Sequence, residues 1–275
     1  MSNNKNWFLA DGQAYAAFRP SYPRALCEYL SGLVADRRLA IDVGCGTGQF
    51  TKGLLPYFEQ VVGIDPSADQ INQARLDPST PDMLGDHSPI PFAAGEDFSE
   101  DLARHRPTFL QASAEALPFT LSSADLVTAA QAAHWFDLSK FYDEVRRVTR
   151  PGGVLALVSY GVLTLDPDLD ECFQQFYWKE INPYWPPERR LVDQGYRDIL
   201  FPFDELEAPH IPMVCDWTLP AFLGYLSTWS AVKNAELQGE GHLFAEFAEK
   251  ISYRWGASHG TRRISWPLSL RIARL

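Results

Sequence analysis

Four residue groups have types and spacings suited to chemistry: Gly44-x-Gly46-x-Gly48 behind Asp42, the acid Asp65, the turn Ser113-Ala114-Glu115, and Gln131 with His134. The apolar run Leu39-Ala-Ile-Asp-Val43 reads as a short buried strand carrying one acid. Three alternating glycines follow it, before an amphipathic stretch that opens at Gln49. Glycine lets the chain turn sharply and lets a ligand approach where a Cβ would stand. A strand, a glycine turn and a helix start present free N–H groups to a polar or anionic ligand. A dinucleotide loop needs G-x-G-x-x-G, but its third glycine position is Gln49, with Gly48 one residue early. No G-K-[ST] follows, which removes the phosphate loop of nucleotide hydrolases.

Asp65 closes a second apolar run, Val61-Val-Gly-Ile-Asp65, at the place where nucleotide folds put a ribose acceptor. It could equally cap the helix that begins after it. Glu115 could be a surface turn acid, and Arg19, before Pro20, a solvated charge. His134 is the candidate general base, although a histidine beside Trp135 and Phe136 more often packs or positions a substrate.

The elements that must position these residues follow from the pattern of the chain. Tyr15, Phe18 and Tyr22 have helical spacing broken by Pro20 and Pro23, and Pro23 suits the first turn of a helix with Leu26, Leu30 and Leu33 as its stripe. Strands are expected at 39–43, 61–65, 108–111, 125–129 and 154–158. Helices are expected at 49–58, 66–75 and 138–149, the last ended by Pro151-Gly-Gly153. Their alternation makes a doubly wound, parallel α/β sheet, which binds ligands beyond the carboxyl ends of its strands. Residues 77–107 hold five prolines and little periodicity, and read as an inserted loop. Beyond Tyr160 the chain is rich in aromatic residues. A strand is expected near 203–214, helices at 218–232 and 241–254, and an antiparallel edge strand at Ile264–Ala273. The chain therefore reads as one domain over 1–275, with an N-terminal helical cap (1–38), a core (39–158), and a region completing the sheet and forming a lid (159–275).

With 275 residues, 46% hydrophobic and 21% charged, the composition is that of a folded globular protein. A net charge of −11 argues against a nucleic-acid partner held through its phosphates. The densest basic cluster of the front half, Arg146, Arg147 and Arg150, lies at a helix C-terminus, where the dipole favours cations. Cys27, Cys45, Cys172 and Cys215 form no C-x-x-C pair, so neither a metal site nor a disulfide framework is expected. There is no signal-peptide pattern and no long apolar run, which leads to the expectation of a cytoplasmic protein without membrane partners.

Asp42-Val-Gly-Cys-Gly-Thr-Gly48, Gly63-Ile-Asp65, Ser113-Ala-Glu-Ala-Leu-Pro118 and Leu126 through Pro151-Gly-Gly153 resemble, in order and spacing, the class I S-adenosylmethionine-dependent methyltransferases. Tyr15-x-x-x-Arg19-Pro-x-Tyr-Pro23, Ala133-His-Trp-Phe136 and Ser227-Thr-Trp-Ser230 are similar to a small-molecule branch typified by trans-aconitate methyltransferases. The resemblance implies a seven-stranded, mostly parallel sheet with an antiparallel last strand and a helical lid, with S-adenosylmethionine as cofactor. It implies a small-molecule methyl acceptor, with a carboxylate oxygen as the acceptor atom to test first.

By the same resemblance, the backbone of Gly44, Cys45, Gly46 and Gly48 lies along the methionine half of the cofactor, with Asp42 near its amino group, directly or through water. Asp65 accepts from the ribose, and Ser113, Ala114 and Glu115 face the adenine. Ser113 stands where many relatives carry Asp and is a weaker acceptor. Gln131 and Ala132 line the floor near the reactive methyl, while Tyr15 and Arg19 close over the cofactor, Arg19 pairing with its carboxylate. Two other readings are a non-catalytic protein that keeps the fold and a nicotinamide oxidoreductase; Gln49 disfavours the latter.

Overall fold

The apolar runs of the front half become β1 (Leu39–Val43), β2 (Gln60–Asp65), β3 (Thr108–Gln111), β4 (Ala124–Ala130) and β5 (Thr149–Tyr160). In the computed structural model, which describes residues 20–76 and 106–275, they join β6 (Glu205–Leu206) and β9 (Leu268–Arg274) in one sheet of order β3-β2-β1-β4-β5-β9-β6. Pairing is parallel from β3 through β5, with Ile41 opposite Val62 on one side and Val127 on the other. β9 and β6 pair antiparallel. Ala40, Ile41, Val43, Leu126 and Val127 are fully buried, as expected of parallel strands covered on both faces. The chain winds outward from β1 to β3, then returns to lay β4 on the other side of β1. The strand order reverses there, and loops leaving β1 and β4 diverge into a crevice.

Helices α1 (Arg24–Gly32), α2 (Gln49–Leu54), α3 (Ala68–Leu76) and α4 (Leu138–Val148) connect or flank these strands. α2 is shorter than the sequence suggests. Pro56 has no N–H to continue the ladder, and Leu55–Tyr57 tighten into a 3₁₀ turn. Asp137 caps α4 by accepting the Lys140 N–H. The basic cluster at the end of α4 is committed internally. Arg147 pairs with Glu144 and donates to the Leu117 and Phe119 carbonyls, and Arg150 pairs at 2.7 Å with the buried Asp125.

Pro151-Gly-Gly153 does not separate α4 from a strand at 154. β5 starts at Thr149, directly after the helix, and the three residues lie within it where its register against β4 shifts.

The described residues divide into two compact units. One comprises Tyr22–Val158, Leu200–Ile211 and Leu270–Leu275, and contains the sheet; the other is built mainly from Ser159–Ile199 and Pro212–Ser269. The second unit contains α5 (Pro167–Gln175), a π turn at Phe176–Glu180, α6 (Arg189–Asp193), α7 (Leu219–Ser227), α8 (Ser230–Leu237) and α9 (His242–Trp255). A two-stranded antiparallel sheet, β7 (Met213–Thr218) with β8 (Thr261–Trp266), completes it. Its interior is aromatic: Phe173, Phe176, Tyr177, Phe222 and Phe247 are buried, and Phe176 stacks on Phe247 at 4.1 Å.

Three expectations for this region need correction. The strand expected near 203–214 is two strands in different sheets, β6 and β7. The helix expected at 218–232 breaks at Thr228–Trp229 into α7 and α8. Ile264–Ala273 is not one edge strand: Pro267 divides it into β8 and β9, and β9 is flanked on both sides, by β5 and β6.

Candidate functional site

The glycine turn stands where β1 ends, and all three glycines have left-handed backbones: φ is 71° at Gly44, 55° at Gly46 and 81° at Gly48. The amides of Gly44 and Cys45 both donate to the Ile64 carbonyl, at 2.7 and 2.9 Å, which pins the turn to β2. A Cβ at Gly44 would overlap that of Ala132, and one at Gly48 would overlap the Phe109 ring. A Cβ at Gly46 would meet only Gln70 Oε1, at 3.7 Å, so space is open above that residue. Gln70 is 5% exposed, and its Oε1 is buried with no hydrogen-bond partner among the described residues. Open space over a left-handed glycine, beside an orphaned buried acceptor, fits a ligand that brings a hydrogen-bond donor.

Asp65, at the end of β2, faces the same turn. Its Oδ2 accepts the Gly46 N–H and its Oδ1 the Ser67 N–H, both at 2.9 Å, leaving each oxygen a lone pair. The carboxylate thus ties the glycine turn to the entry of α3, where Ser67 Oγ accepts the Gln70 N–H. Burial raises its pKa, and the two backbone donors oppose that rise. Asp65→Ala strands both amides and is expected to destabilise the fold by about 2–3 kcal/mol in urea titration, with Asp65→Asn intermediate. Equal stability of all three proteins would show that the carboxylate does not hold the turn.

Asp42 lies buried near the end of β1, with both oxygens engaged by side chains of the fold. It is 1% exposed, and it accepts the Thr51 hydroxyl on Oδ2 at 2.7 Å and the Thr128 hydroxyl on Oδ1 at 2.9 Å. The acid ties β1 to α2 and β4 from beneath the glycine turn. Desolvation raises its pKa to about 6, with the threonine hydroxyls pulling the other way.

The Cys45 side chain packs against Ile71, Ala74 and Phe109, so only its backbone belongs to the turn. Burial also raises its thiol pKa well above the ordinary value, as suits a packing group rather than a reactive one.

After β3, Ser113 Oγ donates to Glu115 Oε2, while Glu115 Oε1 accepts the Asp137 N–H at 2.9 Å. Glu115 thus braces its turn against the start of α4, and Ala114 is buried beside it. Gln131, directly after β4, has φ 53°, an uncommon value for a side-chain-bearing residue; its amide donates to Val158 at 2.8 Å. His134 is half-buried in the 3₁₀ turn Ala133–Trp135, its ring 4.9 Å from that of Trp135. Tyr15 and Arg19 lie outside the described residues, as does nearly all of the loop at 77–107.

Three residues went unnoticed in the sequence: Thr51 and Thr128, which hold Asp42, and Gln70. Gln70 is a polar residue beside Ile71 and Ala74 on the buried stripe of α3, and that pattern was the available signal.

Comparison with known proteins agrees with this geometry. Residues 41–157 match the family model described as a methyltransferase domain. The chain is 30% identical over 261 residues to the "Putative methyltransferase" of Dictyostelium discoideum, covering 94% of this chain and 89% of that one. It is 32% identical over 165 residues to the "Probable S-adenosylmethionine-dependent methyltransferase" of Saccharomyces cerevisiae, of which it spans only 47%. Among solved structures it is similar to the "Putative Type II Methyltransferase" of Anaeromyxobacter dehalogenans. The identity is 39% and the TM-score 0.78, over 94% of this chain and 98% of that one.

Proposed function

We propose that this chain, which belongs to the class I S-adenosylmethionine-dependent methyltransferases and takes S-adenosylmethionine as its cofactor, methylates a small molecule, with a carboxylate oxygen as the acceptor atom. The internal commitment of the Arg146–Arg147–Arg150 cluster carries the small-molecule part. With net charge −11 and those cations paired to Asp143, Glu144 and Asp125, the strongest basic candidate for a phosphate backbone is already engaged. Ala133-His-Trp-Phe136 and Ser227-Thr-Trp-Ser230 support the narrower likeness to the trans-aconitate branch. Among the described residues no helix is long and apolar enough to cross a membrane.

In this reading the Gly44–Gly48 backbone lies along the methionine half of the cofactor. Asp65 offers its remaining lone pairs to the ribose, with Gln70 as a further acceptor nearby. The Ser113–Glu115 turn faces the adenine and Gln131 lies near the methyl; Arg19 meets the carboxylate and Tyr15 covers the cofactor. The cofactor supplies a methyl group on a positively charged sulfur, itself a good leaving group. The protein's task is then to hold an acceptor at attack distance and to exclude water. A carboxylate is ionised at neutral pH and needs no base, so His134 serves by position.

The test is a radiolabelled methyl-transfer screen over small carboxylic acids, phenols and amines, repeated with His134→Asn. Carboxylates should be methylated, and His134→Asn should lower kcat less than about tenfold. A loss of about 10²–10⁴-fold, or turnover restricted to phenols or amines, would instead make His134 a general base.

A further inference from the structure

In the aromatic unit, one cationic side chain makes hydrogen bonds through only one of its three nitrogens. Arg189 opens α6 with its side chain 19% exposed. Its Nε donates to Asp193 Oδ1 at 2.8 Å and to the Tyr177 hydroxyl at 2.9 Å, and that hydroxyl donates to the same Asp193 oxygen at 2.7 Å. Nη1 and Nη2 make no hydrogen bond among the described residues. The guanidinium lies over Trp185, with Cζ 4.6 Å from the ring centroid, and 5.7 Å from that of Tyr177. The Trp185 indole Nε1 is buried and has no hydrogen-bond partner among the described residues. Trp229 packs against both rings, at 5.2 Å from Trp185 and 5.6 Å from Tyr177.

An ion pair built only for stability would be expected to use the guanidinium fork, because the two-point contact with a carboxylate is the stronger one. Here Asp193 takes the Nε edge and leaves the fork unmatched. A buried indole N–H without an acceptor is also costly, and a ligand acceptor would relieve that cost. Every unmatched group is a donor, so the missing partner is acceptor-only, and the stacked cation favours an anion. The aromatic neighbours suit an apolar body attached to that anion. We propose that Arg189 and Trp185 form a binding subsite for the carboxylate of a small, partly apolar organic acid. That this acid is also the methyl acceptor rests on the function proposed above.

The experiment is a two-dimensional ¹⁵N NMR titration of the full chain with sodium benzoate, against benzamide at matched ionic strength. The Trp185 indole signal is identified by its absence in Trp185→Phe. Benzoate should shift that signal saturably and benzamide should not. Arg189→Gln should weaken benzoate binding at least about tenfold, the loss of a charge-assisted contact. Trp185→Phe, followed through the other indole signals, should weaken it severalfold. S-Adenosylhomocysteine affinity should stay unchanged in both variants. Because Arg189→Gln leaves Asp193 unpaired and could fail to fold, Arg189→Lys keeps the charge but loses the fork, and should also weaken benzoate. Equal shifts with benzoate and benzamide, no shift up to about 20 mM, or unchanged affinity in the variants would overturn the subsite. Saturable benzoate binding with no methyl transfer to any carboxylic acid would leave the subsite standing and overturn the acceptor assignment.

Discussion

Gly44→Ala is expected to abolish measurable S-adenosylhomocysteine binding and to lower unfolding stability by about 2–6 kcal/mol, read by calorimetry and urea titration. Two costs combine. A residue with a Cβ at φ 71° carries about 1–3 kcal/mol of backbone strain. The new Cβ also overlaps that of Ala132 and comes within 3.1 Å of the Phe136 ring, an overpacking cost of about 1–3 kcal/mol. Gly152→Ala separates the two: its φ is 83°, but no atom lies within 4 Å of the added Cβ, so it should show the backbone cost alone. Adding Ala132→Gly to Gly44→Ala should recover part of the packing cost, as neighbouring sites do not add. If Gly44→Ala bound S-adenosylhomocysteine as the parent does, the glycine turn would not be the cofactor cradle.

The same physics decides how much of the molecule was legible in its sequence. β1 and β4 were readable because a parallel strand buried on both faces must be a continuous apolar run, and Leu39–Val43 is nearly that. The glycine turn was readable because left-handed backbone at three alternate positions admits little but glycine. What the sequence could not show had its deciding partner elsewhere in the chain. The partners of Asp42, Thr51 and Thr128, lie 9 and 86 residues away and are not visible from its own neighbourhood. The packing of the Cys45 side chain against Phe109 is equally invisible locally. Ile264–Ala273 alternates correctly for a strand, but alternation carries no record of which sheet receives each half. Pro267 was the one local clue that the two halves part. Gln131 carries no compositional sign of its φ of 53°, which depends on the route from β4 into the Ala133 turn.

Asp42→Asn should stabilise the protein at pH 8 relative to pH 4 by about 2 kcal/mol more than the parent, in urea titrations across that range. The sign follows from burial. In the unfolded chain the carboxyl titrates near 3.8, and in the fold it titrates at about 6, because desolvation disfavours the anion. Between those values the native state binds more protons than the unfolded state, so this group's contribution to stability falls as pH rises through the window. Above about 6 the fold must sustain a buried charge held by two threonine hydroxyls. Asparagine is neutral throughout; its carbonyl can accept one hydroxyl and its amide can donate to the other. Asp65 also has a raised pKa, so the parent's whole pH profile cannot isolate Asp42, whereas the difference between the two proteins can. A difference that stays flat from pH 4 to pH 8 would show that Asp42 is not a desolvated post. S-Adenosylhomocysteine affinity separates the remaining roles. If the acid only supports the turn from beneath, Asp42→Asn should leave affinity within a few-fold of the parent. A loss beyond about tenfold, with stability raised as expected, would mean that the charge reaches the cofactor's amino group through the turn.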